Sequence, residues 1–237
     1  MHRLFACAKS AKLLRWHGEE HKKDTMMRHP ADGHDWRTVN TMFYKDIGGE
    51  VRYLWFALST DGMNPFDQVR SNHSTWPVTL CIYNLPPWVC MKRSYIQMPL
   101  LIQGPRQPGN DIDVFLEPVI DELVEMFEKG VPDVWDEYKK EHVTIKGVLI
   151  ATIIDLPGRG SLSGEKTKGY TGCVECLDDT DAVNLPNNSK IVYMGHRRFL
   201  PKDHPYRRNK KDFNGTIEKR LAPKYRDGLR YFENSTN

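Results

Sequence analysis

Two apolar runs, each ending in an aspartate, constrain this chain more than anything else in it. Residues 51–60, VRYLWFALST, are almost all apolar, aromatic or β-branched, with one charge at Arg52, and they run straight into Asp61-Gly62. Such a run predicts a strand buried on both faces, and therefore a central one. About ninety residues later, TIKGVLIATII (144–154) repeats the design and ends in Asp155, followed by Leu-Pro-Gly. An aspartate in that position most simply starts a turn. Two strands that each deliver a carboxylate have a further use, because open α/β sheets place their chemistry at the C-terminal ends of their strands. Paired carboxylates hold divalent ions that activate an attacking oxygen and stabilise a leaving one in phosphoryl transfer. Magnesium, which prefers hard oxygen ligands, suits such a pair.

Between the two runs, WPVTLCIY (76–83) and YIQMPLLIQ (95–103) predict two more strands. Pro77 and Pro99 each remove a ladder donor, which favours strand ends or edges. Residues 111–129 carry a helical period through Ile112, Phe115, Leu116, Val119, Ile120, Leu123 and Phe127, with Pro118 as a kink or as a first helical residue. Asp113 and Asp121 fit a solvated face of that helix. Residues 131–141 predict a second short helix through Val134, Trp135 and Tyr138. The strand ending at Asp155 then follows a helical crossover and is expected parallel to its neighbour. If that neighbour is the first strand, Asp61 and Asp155 emerge side by side. Residues 156–169, rich in Gly and Ser, predict an exposed loop. In residues 1–50, Leu4, Phe5, Ala8, Ala11 and Leu14 make only a marginal helix face. His21, His29 and His34 match no metal-ligand spacing and are expected at the surface.

A chain of 237 residues with 39% hydrophobic content can bury one sizeable core plus a small appendage. No apolar run approaches the ~20 residues that span a bilayer, and the amino terminus lacks the pattern of a secretory signal, so no membrane role is expected. Five cysteines, two of them in one C-x-x-C, point to a reducing compartment rather than a disulfide framework. Cys173 and Cys176, with His196 about twenty residues on, approach the spacing of a structural zinc site, against the simpler reading of two surface thiols. His204 is a more distant fourth ligand. The net charge of +3 conceals an asymmetry: residues 190–230 hold thirteen Lys or Arg against four acids. That block suggests a polyanionic partner, nucleic acid above all, with Arg197, Arg198, Arg207, Arg208, Lys210 and Lys211 as contacts.

The colinear series MRHPADG, STDGMNPF, WPVTLCIYNLPPWVCMK, LLIQGPRQPGNDIDVFLEPVIDEL, ATIIDLPGRGSLSG, GCVEC and GHRRFLPKDHPYRRNKK resembles plant CACTA (En/Spm-like) transposases over roughly residues 25–220. The resemblance implies an α/β fold of the ribonuclease-H-like kind, a mixed sheet with helices interrupted by a small Cys/His zinc-type insertion. It also implies a DDE/D triad binding two magnesium (or manganese) ions, which cleaves and transfers DNA strands at transposon ends. The expected setting is the nucleus, with a homo-oligomer or a partner transposon protein. By motif, Asp61 looks like the first acid and Asp155 the second, and Cys173/Cys176 falls within the insertion between the second acid and the third. Relatives continue to a D-x-x-H motif and a later helical acid. Neither occurs here, and Glu218 and Glu233 make no convincing substitute. The fold is therefore expected to be incomplete at the C-terminus and the chain inactive alone. The alternative is a non-catalytic DNA-binding or interaction protein derived from a transposase. Gly158 stands where relatives often have alanine. The expected organisation is an N-terminal extension (1–50), the core (51–160), the Cys/His insertion (161–210) and a disordered basic tail (211–237).

Overall fold

The first apolar run forms β1 (Leu54–Thr60), and six of its seven residues are buried. A computed structural model describes residues 1–24, 26–43, 45, 49–66, 73–173 and 176–223. In it β1 lies inside a four-stranded sheet with β2 (Trp76–Ile82), β3 (Gln97–Ile102) and β6 (Gly147–Ile153), in the order β3-β2-β1-β6. β1 runs antiparallel to β2 and parallel to β6, and β2 runs antiparallel to β3. The sheet is therefore mixed, and β6 has β1 as its parallel neighbour. Pro77 is the second residue of β2, and Pro99 sits in the edge strand β3, both positions where a missing donor is tolerated.

Residues of the N-terminal segment fall in the same compact unit as the sheet, residues 1–158. They form α1 (His2–Phe5), α2 (Ala8–Leu13), α3 (Trp16–Glu19) and α4 (His34–Met42). Leu4, Phe5, Ala11 and Leu14 are buried as the apolar spacing suggests, whereas Ala8 is exposed. Trp36 of α4 stacks on Trp55 of β1 with ring centroids 4.0 Å apart and planes within 14°. Asn84, wholly buried, accepts a hydrogen bond from the Trp55 N–H at 2.8 Å and donates to the Tyr53 carbonyl at 2.7 Å. A buried amide with both ends satisfied is cheap to hold and fixes where β1 begins.

After α5 (Pro87–Cys90), the periodic segment forms α6 (Ile112–Glu128) with Pro118 inside it. Ile112, Leu116, Val119 and Met126 are buried, while Phe115, Ile120 and Val124 stay exposed, so the apolar stripe is wider than the face the helix buries. The second helix expected at 131–141 does not form. Those residues build a hairpin from β4 (Val131–Asp136) and β5 (Glu141–Ile145). Val134 and Asp136 are buried while Asp133 and Trp135 are exposed, a period of two that Pro132 and the β-branched valines favour over a helix. Asp136 Oδ1 accepts from the Tyr138 and Lys139 N–H groups, which closes the turn. The Arg52 guanidinium ties the start of β1 to this hairpin, donating to Asp136 at 3.3 Å and Glu141 at 2.7 Å, and it also bonds Glu50 at 2.7 Å.

The loop expected at 156–169 begins instead as a helix, α7 (Leu156–Ser163). Asp155 caps it, and Pro157 sits at a position where its fixed φ and missing N–H cost nothing.

The second unit, residues 159–237, contains a small hairpin of β7 (Ala182–Leu185) and β8 (Lys190–Tyr193), a 3-10 turn at Gly195–Phe199 and the short α8 (Pro205–Arg208). Of the tail expected at 211–237, residues 224–237 lie outside the described residues. Residues 211–223 are described, and Glu218 among them is buried, its carboxylate paired with Arg220 at 2.7 Å.

Candidate active site

The register of the sheet decides where the two aspartates meet. In the parallel pair, Ser59 of β1 lies opposite Ile153 of β6. Asp61 and Asp155 follow two residues on, just past the ends of β1 and β6, so the parallel register brings both to the same edge of the sheet. Adjacent strands lie about 4.8 Å apart. The continuation of β1 past Thr60 remains extended, because Met63 and Thr75 form a further antiparallel bridge in the β1–β2 register, with N–H···O distances of 2.8 Å in both directions. That register sets Asp61 opposite Pro77, whose nitrogen has no proton to donate. The ladder is interrupted where the candidate site begins.

Both carboxylates are exposed. Asp155 Oδ1 accepts the Gly158 N–H at 2.7 Å, so this side chain is a helix cap as well as a site candidate. A Cβ at Gly158 would fall 2.9 Å from Asp155 Oδ1 and 2.7 Å from Ile154 Cγ2, which makes glycine the residue that leaves the cap undistorted. Gly62, next to Asp61, is constrained in the same way. A Cβ there would lie 2.8 Å from Trp76 Cε2 and Nε1, and 2.9 Å from Ser74 Oγ. Ser74 Oγ accepts the indole N–H at 2.9 Å and fixes the ring. The far edge of the same indole, Cζ3, is 3.9 Å from the position of a Gly158 Cβ. One tryptophan therefore packs against both glycines that follow the two acids. Two exposed carboxylates at one edge of the sheet offer hard oxygen donors of the kind taken by a magnesium or manganese ion that keeps much of its hydration. Among the described residues, no group of three or more His, Cys, Asp or Glu side chains is arranged to hold a metal. The pair thus has no third carboxylate beside it there.

The same observation bears on Cys173, Cys176, His196 and His204. The cysteines are linked locally, with the Cys176 N–H donating to the Cys173 carbonyl at 3.1 Å. Burial pushes the Cys176 thiol up, against the opposing pull of the nearby Arg198 guanidinium. His196 is exposed, and His204 Nδ1 accepts the Tyr206 N–H at 3.2 Å as the cap of α8. The described residues do not assemble these four into a zinc-type tetrahedron, so the thiol pair alone does not fit a structural zinc.

Three of the six basic residues expected to contact DNA have their guanidinium groups turned to the protein. Arg197, Arg198 and Arg207 are each less than a tenth exposed. Arg197 donates to the carbonyls of Tyr206, Asn209 and Thr216 and to Asn214 Oδ1, at 2.7–3.3 Å. Arg207 donates to the carbonyls of Arg197, Arg198, Leu200 and Arg220, and Arg198 donates to that of Asp179 at 2.8 Å. Five donors on one planar group can satisfy several inward-facing carbonyls of an irregular chain, and a small unit without much apolar core gains order from that. Arg208, Lys210 and Lys211 remain exposed.

A cluster that the histidine spacing did not reveal lies in the first unit. His29 is buried, and His21 places Nε2 3.1 Å from Asp32 Oδ1 with both side chains almost fully enclosed. Trp16 packs edge-on against His21 and His29, at centroid distances of 4.9 and 5.1 Å, and His17 packs against Trp36 at 5.4 Å. His34 alone is exposed as expected. Burial is the main reason that His17 and His29 each titrate at about 4. The available signal was the run of tryptophans at 16 and 36, each within a few residues of a histidine. Beside the cluster lies a cavity of about 540 Å³ bounded by His17, His21, Asp32, Trp36 and Trp55.

Among the described residues, no helix is long and apolar enough to cross a membrane. No curated protein and no solved structure matches the chain. The sequence model of the transposase family tnp2 does match, over residues 24–231, a span that takes in both apolar runs, their aspartates, the Cys173/Cys176 pair and the whole of the basic block. The chain belongs to the tnp2 transposase family.

Proposed function

We propose that this chain carries the first two acids of a DDE/D-type DNA transposase of the CACTA class, on a sheet of the ribonuclease-H-like kind. The observation that supports the reading is the parallel pairing of β1 with β6, two adjacent strands that lead into Asp61 and Asp155 at the same end of the sheet. Family membership supports transposition as the process and DNA as the substrate, and the nucleus is the setting this reading proposes. Asp61 and Asp155 would hold a magnesium or manganese ion. When bound, that ion supplies charge neutralisation and activation of an attacking oxygen at the scissile phosphate. The protein's own contribution is positional: the Gly158 N–H fixes the Asp155 carboxylate, and Trp76 fixes the backbone after both acids. Exposure of both carboxylates leaves them accessible to a phosphodiester backbone.

Among the described residues no third carboxylate stands beside the pair, which favours weak metal binding and no chemistry by this chain alone, since two-metal catalysis needs both ions placed on the attacking and leaving oxygens. The same observation sustains a second reading, a DNA-binding protein of transposase descent that does not cut. Manganese binding followed by water-proton relaxation, together with a strand-cleavage assay on labelled duplex, separates the two. The first reading expects manganese binding that Asp61→Asn and Asp155→Asn each weaken, with no cleavage by the unmodified chain. Equal manganese affinity in all three proteins would remove the metal-site reading. Robust cleavage that Asp61→Ala abolishes would establish a third ligand within these residues. A structural zinc on Cys173 and Cys176 would need ligands that the described residues do not bring to it.

A further inference from the structure

The second unit presents aromatic rings to solvent in the middle of its exposed positive charge. Tyr206 is 57% and Phe213 44% exposed, and the two rings neighbour one another rather than standing singly. The rings of His204, Tyr206 and Phe213 follow one another at centroid separations of 5.2 and 6.1 Å. Exposed Arg208, Lys210 and Lys211 lie in the same short stretch of chain.

The rings are also held in place. The Arg197 guanidinium sits 4.5 Å from the centroid of the Phe213 ring and covers one side of it. The same group hydrogen-bonds the carbonyls of Tyr206, Asn209 and Thr216, so one buried cation anchors the segment that carries both aromatics. The Asn209 side chain donates to Asp212 Oδ2 at 2.8 Å and accepts the Asp212 N–H at 3.2 Å, closing the turn between them. A rigid ring presented to water loses little entropy when a flat partner stacks on it.

We infer that His204, Tyr206 and Phe213, with Arg208, Lys210 and Lys211, form a binding surface for an unpaired polynucleotide strand. The exposed rings, inclined to one another by 63° and 58°, call for a ligand with π faces to lay on them, and the cations call for one with regularly spaced negative charge. A single strand offers both at once. A duplex offers only the charge, because its base faces are covered by one another, and an acidic peptide lacks the flat rings. The inference rests on the reading of this protein as one that handles DNA strands, and it adds which form of strand the second unit takes. It uses neither Asp61 nor Asp155.

The test is fluorescence anisotropy with the full chain and three labelled probes of equal length: oligo-dT, oligo-rU and a mixed-sequence duplex, each over a range of salt. Tyr206→Leu and Phe213→Leu keep the apolar fill and remove the aromatic face, and circular dichroism checks that they fold. Each is expected to weaken single-strand binding about tenfold and to leave duplex binding and the salt slope almost unchanged. Lys210→Gln with Lys211→Gln should weaken all probes and reduce the slope by roughly 0.7–0.9 for each phosphate no longer neutralised. A dT preference identifies DNA as the strand, and an rU preference identifies RNA. Single-strand binding unaffected by the leucine variants, equal losses on duplex and strand, or no binding to any probe at low salt would each overturn the inference. Manganese binding in Asp61→Asn is read on a separate sample, so failure of the metal site and failure of this surface are told apart.

Discussion

Acidification should unfold this protein through the histidines buried under its N-terminal helices. His17 and His29 titrate at about 4 in the folded chain against 6.5 for an unhindered imidazole, chiefly because burial disfavours the charged ring. The unfolded chain therefore takes up protons first as pH falls. Stability is complete above about pH 6.5 and drains away as pH approaches 4. Integrating proton uptake from pH 7 to 4.5 gives a loss of about 2 kcal/mol for each imidazole. Charge on either ring also disfavours charge on its neighbour, and His17 is partly open to water, so about 3 kcal/mol for the pair is the better figure. Asp32, held below the usual carboxylate range mainly by the Arg28 N–H, with the His29 N–H adding to it, contributes only below about pH 4. A loss of that size is a large share of the ~5–15 kcal/mol typical of a domain. Urea unfolding followed by tryptophan fluorescence at pH 7.5, 6.0, 5.0 and 4.5 measures it directly, since Trp16 and Trp36 touch these histidines. His17→Gln and His29→Gln should each flatten the dependence by about half. A midpoint that stays level from pH 7 to 4.5, or an unchanged slope in the double variant, would refute the reasoning.

Other expectations follow from single contacts. Arg52→Met strands the wholly buried Asp136 without its cation, and should lower stability by about 3–5 kcal/mol in chemical denaturation; Asp136→Asn in the same background should recover part of it. Gly62→Ala drives a methyl into the Trp76 indole and should cost about 1–3 kcal/mol in stability, together with a measurable loss of manganese affinity at Asp61. Alkylation at pH 8, mapped by mass spectrometry, should modify Cys173 before Cys176, because burial raises the second thiol and removes it from solvent. Equal protection of both thiols, released by a chelator, would instead place a metal on the pair.

The parts of the fold that were legible in the sequence are those in which one segment carries its own signal. The run into β1 is apolar at nearly every position because both faces of a central strand are covered, and β6 shares enough of that character to be found. That β6 would run parallel to its neighbour was legible from chain order and handedness, whereas its adjacency to β1 had to come from the structure. The hairpin at 131–145 was hidden because Val134, Trp135 and Tyr138 mimic a helical spacing, while the deciding contact, Arg52 with Asp136, spans 84 residues. Residues 1–50 were opaque because their helices are too short to show a period, and their apolar face exists only once Trp36 meets Trp55. The basic block misled for a similar reason. Nothing local distinguishes Arg197, which turns inward to carbonyls up to 19 residues away, from Arg208, which stays in water.

Trp76 gives the site a tolerance that its loops alone would not have. The indole touches the residue after Asp61 along its pyrrole edge and approaches the residue three beyond Asp155 with its benzo edge. The separation of the two acids is therefore gauged by the breadth of a rigid ring seated on the sheet, and the segments leading away from each acid need not cooperate to set it. Changes in the length of those segments that leave Trp76 in place should leave the gauge in place. A copy that loses Trp76 should lose the alignment of both acids together, even with each aspartate still in its sequence.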